Sequence, residues 1–137
     1  MKYQFYNELN QDARKIREAV FVEEQGFKNE FDDIDNHCLH LVIYENNQAI
    51  GCARMYQKDK TMVLGRIAVI KSKRELHLGS YILDILELKA KELGFLEVNL
   101  SAQVRAKNFY IKNDYHENGE EYLDEYCPHV NMKKGLK

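Results

Sequence analysis

The chain opens with Lys2–Tyr6, where polar and apolar side chains alternate as in a short strand. Asn10 or Asp12 then offers a helix cap, and Ala13, Ile16, Arg17, Val20, Phe21 and Glu24 fall on successive turns of a helix that Gly26 closes. Glu30–Asn36 is an acidic loop. The apolar runs His37–Tyr44 and Ile50–Tyr56 flank Glu45-Asn46-Asn47-Gln48, the pattern of an antiparallel hairpin with a polar turn. In Thr61–Ile70 the apolar residues Val63, Leu64, Ile67, Ala68, Val69 and Ile70 are too continuous for a strand with one wet face, which predicts a central strand. Leu78, Ile82, Ile85, Leu86 and Leu93 form one helical stripe stopped by Gly94. Phe95–Leu100 reads as another buried strand and Val104–Ile111 as a short helix. Tyr115, Tyr122, Tyr126 and Val130 belong to closing strands and turns.

The strand–helix–strand unit from Thr61 to Leu100 demands a parallel crossover, whereas the hairpins are antiparallel. The expected fold is therefore α/β (α+β), with a mixed central sheet flanked by helices. No repeat, linker or low-complexity run divides the sequence, so residues 1–137 are read as one domain. An apolar fraction of 45% with 31% charged residues suits a soluble globular protein. A net charge of -2 leaves no broad basic surface for nucleic acid. No run of about 20 apolar residues predicts a membrane span. With no signal-like start, the expected location is cytoplasmic. Cys38, Cys52 and Cys127 form an odd set without a close pair and read as buried free thiols.

The chemistry concentrates in Ile67-Ala68-Val69-Ile70-Lys71-Ser72-Lys73-Arg74-Glu75-Leu76-His77-Leu78-Gly79-Ser80. A hydrophobic strand runs into a cationic loop, which opens into an amphipathic helix. Unpaired N–H groups and the positive end of the helix dipole suit a pyrophosphate there. Lys71, Lys73 and Arg74 add charge, and Gly79 lets a ligand come close to the backbone. A solvated basic loop ahead of a helix would show the same pattern.

The segment resembles the acetyl-CoA signature of the GNAT superfamily of N-acetyltransferases, Arg/Gln-x-x-Gly-x-Gly/Ala. Arg74 matches its first position and Gly79 its last, while His77 replaces the middle glycine. Arg17–Gln25, Glu30-Phe31-Asp32, Ala53-Arg54, Gly65–Val69, Ala102-Gln103, Asn108-Phe109-Tyr110 and Pro128-His129 with Met132 resemble the ElaA-like branch.

The resemblance implies a GNAT fold with a splayed pair of parallel strands, acetyl-CoA as cosubstrate, and direct transfer to a primary amine of a small molecule or peptide. Ile67, Ala68 and Val69 would supply main-chain contacts to pantetheine. Arg74, Glu75, Leu76, His77, Leu78, Gly79 and Ser80 would form the pyrophosphate turn, with His77 offering its N–H from helical dihedrals, and Asn108 would also touch the cofactor. Tyr110 would protonate the departing thiolate, and Glu24 would accept the amine proton. The acidic run Glu30, Asp32, Asp33 and Asp35 would draw in a cationic amine or remain a solvated loop. A non-catalytic acyl-CoA-sensing module on the same fold is the alternative, favoured by His77.

The pairs His37-Cys38-His40 and Cys127-Pro128-His129 lack zinc-like spacing, and no metal site is expected. His129 is expected to satisfy a buried hydrogen bond or to line the acceptor pocket rather than to act as a base. The aromatic residues near the C-terminus suit either a core or a homodimer interface.

Overall fold

The computed structural model describes residues 1–137. Strand β1 (Lys2–Tyr6) leads into helix α1 (Gln11–Arg17), capped by the Asn10 side chain accepting from the Ala13 N–H at 2.9 Å. Strands β2 (Leu39–Glu45), β3 (Gln48–Lys58) and β4 (Thr61–Val69) follow as an antiparallel meander. Asn46 and Asn47, both at positive φ, make the tight turn of the first hairpin. Helix α2 (Leu78–Glu92) carries the chain back, so β5 (Glu97–Gln103) lies parallel to β4. After α3 (Lys107–Lys112) come β6 (His116–Glu117), β7 (Tyr122–Asp124) and β8 (Cys127–Gly135). The sheet order is β1-β2-β3-β4-β5-β8-β6, with β7 also on β8. The mixed sheet and central β4 expected from the sequence are present.

Two cores hold the helices to the sheet. Ile82, Leu83 and Leu86 of α2 meet Leu41, Ile43, Leu64, Val98 and Leu100 on one face; Ile16, Val20 and Phe21 meet Val42, Cys52 and Ala68 on the other. All three cysteines are buried and unpaired with one another. Leu93 departs from its expected stripe position and is 48% exposed, because the helix ends one residue before it. No helix is long and apolar enough to cross a membrane.

The first helix is not uniform. Beyond Arg17 it widens into a π-helix over Glu18–Glu24, with Gln25 bonding back to the Val20 carbonyl. A π turn spends an extra residue and re-aims those that follow; such turns recur at functional sites.

The acidic loop departs further from expectation. Glu30 and Asp35 point inward, where Arg17, only 1% exposed, binds both Asp35 oxygens at 2.7 and 3.0 Å and Glu30 Oε2 at 2.8 Å. Arg54 bridges Asp35 and Asp32 at 2.9 and 2.7 Å, and Arg66 Nε lies 2.9 Å from Glu30 Oε2. These carboxylates are spent on internal arginines; only Asp33, exposed beside His37, stays the solvated residue the sequence suggested. Burial alone would raise the Asp35 pKa, but the Arg17 hydrogen bonds and the neighbouring guanidinium of Arg54 hold it well below the ordinary carboxylate range.

Removing one partner strands buried charge, so Asp35→Asn should cost about 3–5 kcal/mol in urea denaturation at neutral pH. A depressed carboxylate pKa contributes stability above the unfolded-state value and loses it as pH falls through the folded one. The gap between wild type and variant should therefore narrow below about pH 4.

Candidate active site

The site begins where two strands part. β4 and β5 pair only through Met62–Val98, Val63–Asn99 and Leu64–Leu100. Immediately beyond, β4 bulges: Arg54 faces Gly65 while Cys52 faces Ala68, so one extra residue is accommodated on β4. Arg66, at φ +51°, takes the left-handed conformation, and its guanidinium donates to the Glu30 carbonyl at 2.9 and 3.2 Å. A bulge bends its own strand. β5 meanwhile keeps its seven-pair register with β8 from Glu97 to Gln103. The β4 edge from Gly65 to Val69 is left without a partner on the β5 side.

A cavity of about 510 Å³ fills that gap. Its walls are Leu64–Ile67 of β4, Leu100, Ser101 and Gln103 of β5, Phe21, Glu24 and Gln25 of the widened helix, and Tyr110 of α3. Phe27, Glu30, Asp124, Glu125 and His129 line it as well. The half-burial of Ile67, on a strand whose pattern suggested full burial, follows from this opening.

The cationic loop closes one end. Lys71–Lys73 form a 3-10 turn, after which Glu75 (φ +67°) and His77 (φ +59°) both adopt left-handed backbone. The expected helical dihedrals at His77 are thus corrected: it is the N-cap, in the conformation that a glycine adopts most easily. No side chain caps the α2 N-terminus. Its first N–H groups are left for solvent or a ligand.

Gly79 has a packing task that the sequence did not suggest. A Cβ there would lie 2.8 Å from Phe109 Cζ, so the ring of α3 rests on the bare Cα of α2. Phe109 in turn contacts Tyr110 edge to face at 5.0 Å. Close approach of α2 and α3 thereby sets the position of the Tyr110 ring.

Arg74 reaches across the mouth. Its Nε donates to the Val69 carbonyl at 3.1 Å, and its two terminal nitrogens grip Glu24, both at 2.8 Å. Those bonds lower the Glu24 pKa, making it a weaker base than a free carboxylate. Lys73 is likewise paired, with Glu45 at 2.6 Å. Of the expected cofactor residues, Ile67 and Arg74 line the cavity, as do Tyr110 and Glu24. Ala68 is buried toward α1, Glu75–Ser80 lie at the head of α2, and Asn108 is exposed on α3 away from the cavity wall.

Tyr110 stands among aromatic rings, Phe109 on one side and Tyr115 at 5.8 Å on the other. Burial pushes its phenol up to about 12, so the hydroxyl keeps its proton at neutral pH. Opposite, Gln25 and Gln103 bridge the helix to β5 at 2.7 Å. Glu125, at φ +56°, accepts from the Lys28 and Asn29 N–H groups, which lower its pKa and tie the β7–β8 turn to the loop after the first helix. Sequence reading missed these two clasps; Gln25 and Gln103 stood inside resembling segments, but nothing signalled that they meet.

Asp35, Cys38 and His40 come together in the interior. The Asp35 oxygens are already taken by Arg17 and Arg54, His40 donates to the Asp35 carbonyl at 2.9 Å, and burial raises the Cys38 thiol to about 11. Two adjacent guanidinium groups make this a poor place for a cation, and burial, outweighing their attraction, keeps the Cys38 thiol protonated.

A parallel pair splayed by a bulge, beside an uncapped helix N-terminus, is the arrangement expected of a GNAT fold. The model of the acetyltransferase (GNAT) domain matches residues 7–136, and the chain belongs to that family. It is 38% identical over 126 residues to the uncharacterized N-acetyltransferase YjcF of Bacillus subtilis, covering 90% of each. Among solved structures it resembles ElaA of Escherichia coli, with TM-score 0.84 and 25% identity over 97% of this chain and 98% of that one. An acyl-CoA N-acyltransferase from Pseudomonas aeruginosa shares the fold with TM-score 0.86 at 23% identity, covering 97% and 98%.

The Gly79–Phe109 contact is testable by a double-mutant cycle. Gly79→Ala should be more costly in wild type than in a Phe109→Leu background, by about 1 kcal/mol or more. Equal costs in the two backgrounds, read by denaturant midpoints, would show that the ring does not need the bare Cα.

Proposed function

We propose that the protein transfers an acetyl group from acetyl-CoA to a primary amine of a small molecule or peptide, by direct attack in a ternary complex. The observation that carries this reading is the parting of β4 from β5 after three residue pairs. It exposes a strand edge to a thread-like ligand, with an uncapped helix N-terminus at one end and an unpartnered phenol in the wall. Pantetheine, a chain of amides, suits the free edge from Gly65 to Val69 as a substitute strand. Its pyrophosphate suits the N–H groups at Leu78–Ser80 and the guanidinium of Arg74.

To bind, the pyrophosphate must compete with Glu24 for Arg74. Both groups are partly exposed, and pairs of this kind contribute about 0.2–1 kcal/mol. Glu24→Gln should therefore tighten CoA binding by at most about fivefold in calorimetry. Weaker binding would mean that Glu24 helps to hold the cofactor rather than competing with it.

The amine attacks the thioester carbonyl; the C–N bond forms, the C–S bond breaks, and its electron pair leaves on sulfur. The ordinary thiol is already a stronger acid than the ordinary phenol, and burial raises the Tyr110 phenol further, so full proton transfer from Tyr110 to the thiolate is uphill. Tyr110 therefore donates a hydrogen bond to the developing thiolate, and the proton that ends on sulfur comes from the amine. Its hydroxyl has no protein partner to give up first. A free donor on the reacting side of the cleft supports catalysis rather than ligand sensing alone.

Acetyl-CoA titration followed by thiol-release assays over primary amines tests the reading. Binding with release is the expected result, and Tyr110→Phe should lose about tenfold or more in kcat with little change in acetyl-CoA affinity. Absence of CoA binding would overturn it.

A further inference from the structure

We infer that His129 is the catalytic base of the transfer, taking the proton from the acceptor amine at Nε2. The inference rests on the acetyltransferase reading of the cleft and names a residue that the reading leaves unassigned. His129 Nδ1 lies 2.9 Å from the Cys127 carbonyl oxygen. A carbonyl only accepts, so Nδ1 carries the hydrogen, and in the neutral ring Nε2 is left with a lone pair. No protein donor reaches Nε2, and it is not sealed, since Arg54 Nε is the one buried side-chain nitrogen or oxygen without a partner. The residue lines the cleft, where an acceptor amine would meet that lone pair.

The ring is packed between aromatic neighbours, and only 6% of the residue is exposed. Tyr122 stacks on it with centroids 6.0 Å apart, and Phe27 meets it edge-on at 6.3 Å. Its strand position matters too. His129 pairs with Gln103, one residue along from the Ala102–Val130 pair that faces the α2 core. Successive strand residues face opposite sides, so His129 stands on the α1 side of the sheet. Tyr110, packed against the α2 core, reaches the same cavity from the other side. The base and the hydrogen-bond donor thus approach a thioester threaded between β4 and β5 from opposite directions, as attack and departure require.

Of the four cleft carboxylates, Asp124 is exposed to solvent and the other three are already engaged. Glu24 is gripped by Arg74, Glu30 by Arg17 and Arg66, and Glu125 by two backbone N–H groups. Protons balance simply: the ammonium gives one proton to Nε2, which passes it to solvent, and the free amine attacks. The second proton lost by nitrogen ends on sulfur, yielding amide, CoA thiol and one released proton.

The test uses the full chain with acetyl-CoA and three probe amines: tyramine, spermidine and lysine methyl ester. His129→Asn keeps a donor for the Cys127 carbonyl but removes the base, while His129→Ala opens a space that imidazole can enter. Both should lose about a hundredfold or more in kcat while binding CoA as wild type does. Added imidazole should restore turnover to the alanine variant. Undiminished kcat in His129→Asn, or loss in the alanine variant without any imidazole rescue, would overturn the assignment alone. A wild-type chain that releases no thiol with any probe would overturn the transferase reading and this one with it.

Discussion

The parting of β4 from β5 depends on how Arg66 is held. A non-glycine residue in left-handed backbone carries a conformational cost, which persists only where surrounding contacts over-determine it. Here they do: the Arg66 guanidinium is bound to the carbonyl and the carboxylate of Glu30, and Glu30 is itself fixed by the fully buried Arg17. The bulge is thus anchored in the charged interior rather than in the sheet. Remove the anchor, and β4 is free to straighten toward β5 and close the gap in which a ligand would lie.

That interior explains a further feature. Three arginines and three carboxylates in a small volume are weak contributors to net stability, because their desolvation cancels much of their attraction. They do specify geometry. Arg17 belongs to α1, Arg54 to β3, Arg66 to β4, and Glu30, Asp32 and Asp35 to the loop between them. One network therefore registers helix, sheet and loop around the same cavity wall. The aromatic packing of Phe109 on Gly79 does the same on the opposite side, joining α3 to the helix that begins at the cationic turn.

Most elements were legible from periodicity, since β2–β4 and α2 bury regular faces. The hairpin at Asn46-Asn47 followed from local chemistry alone, which also narrowed the first helix cap to Asn10 or Asp12, and the structure selects Asn10. The π-helix at Glu18–Glu24 was not legible, because the same apolar residues satisfy an ordinary helix and only the tertiary contacts of Phe21 and Phe27 distinguish them. The acidic loop misled for a related reason: a carboxylate looks solvated in sequence unless its buried arginine is known, and Arg17 and Arg54 lie 18 and 19 residues from Asp35. At the site, the turn from Arg74 to Gly79 was recognisable from its motif. The left-handed state of His77, the Arg74–Glu24 pair and the Gln25–Gln103 clasp depend on residues far apart in the chain, which no spacing reports.

The unpaired edge of β4 is the feature on which function rests, and amide hydrogen exchange reads it directly. With CoA at saturation, the amides between Gly65 and Val69 that face the gap, together with those of Leu78–Ser80, should gain protection while β1 and β2 stay unchanged. Exchange that is unaltered in both segments, or protection confined to another part of the sheet, would contradict an acyl-CoA site between β4 and β5.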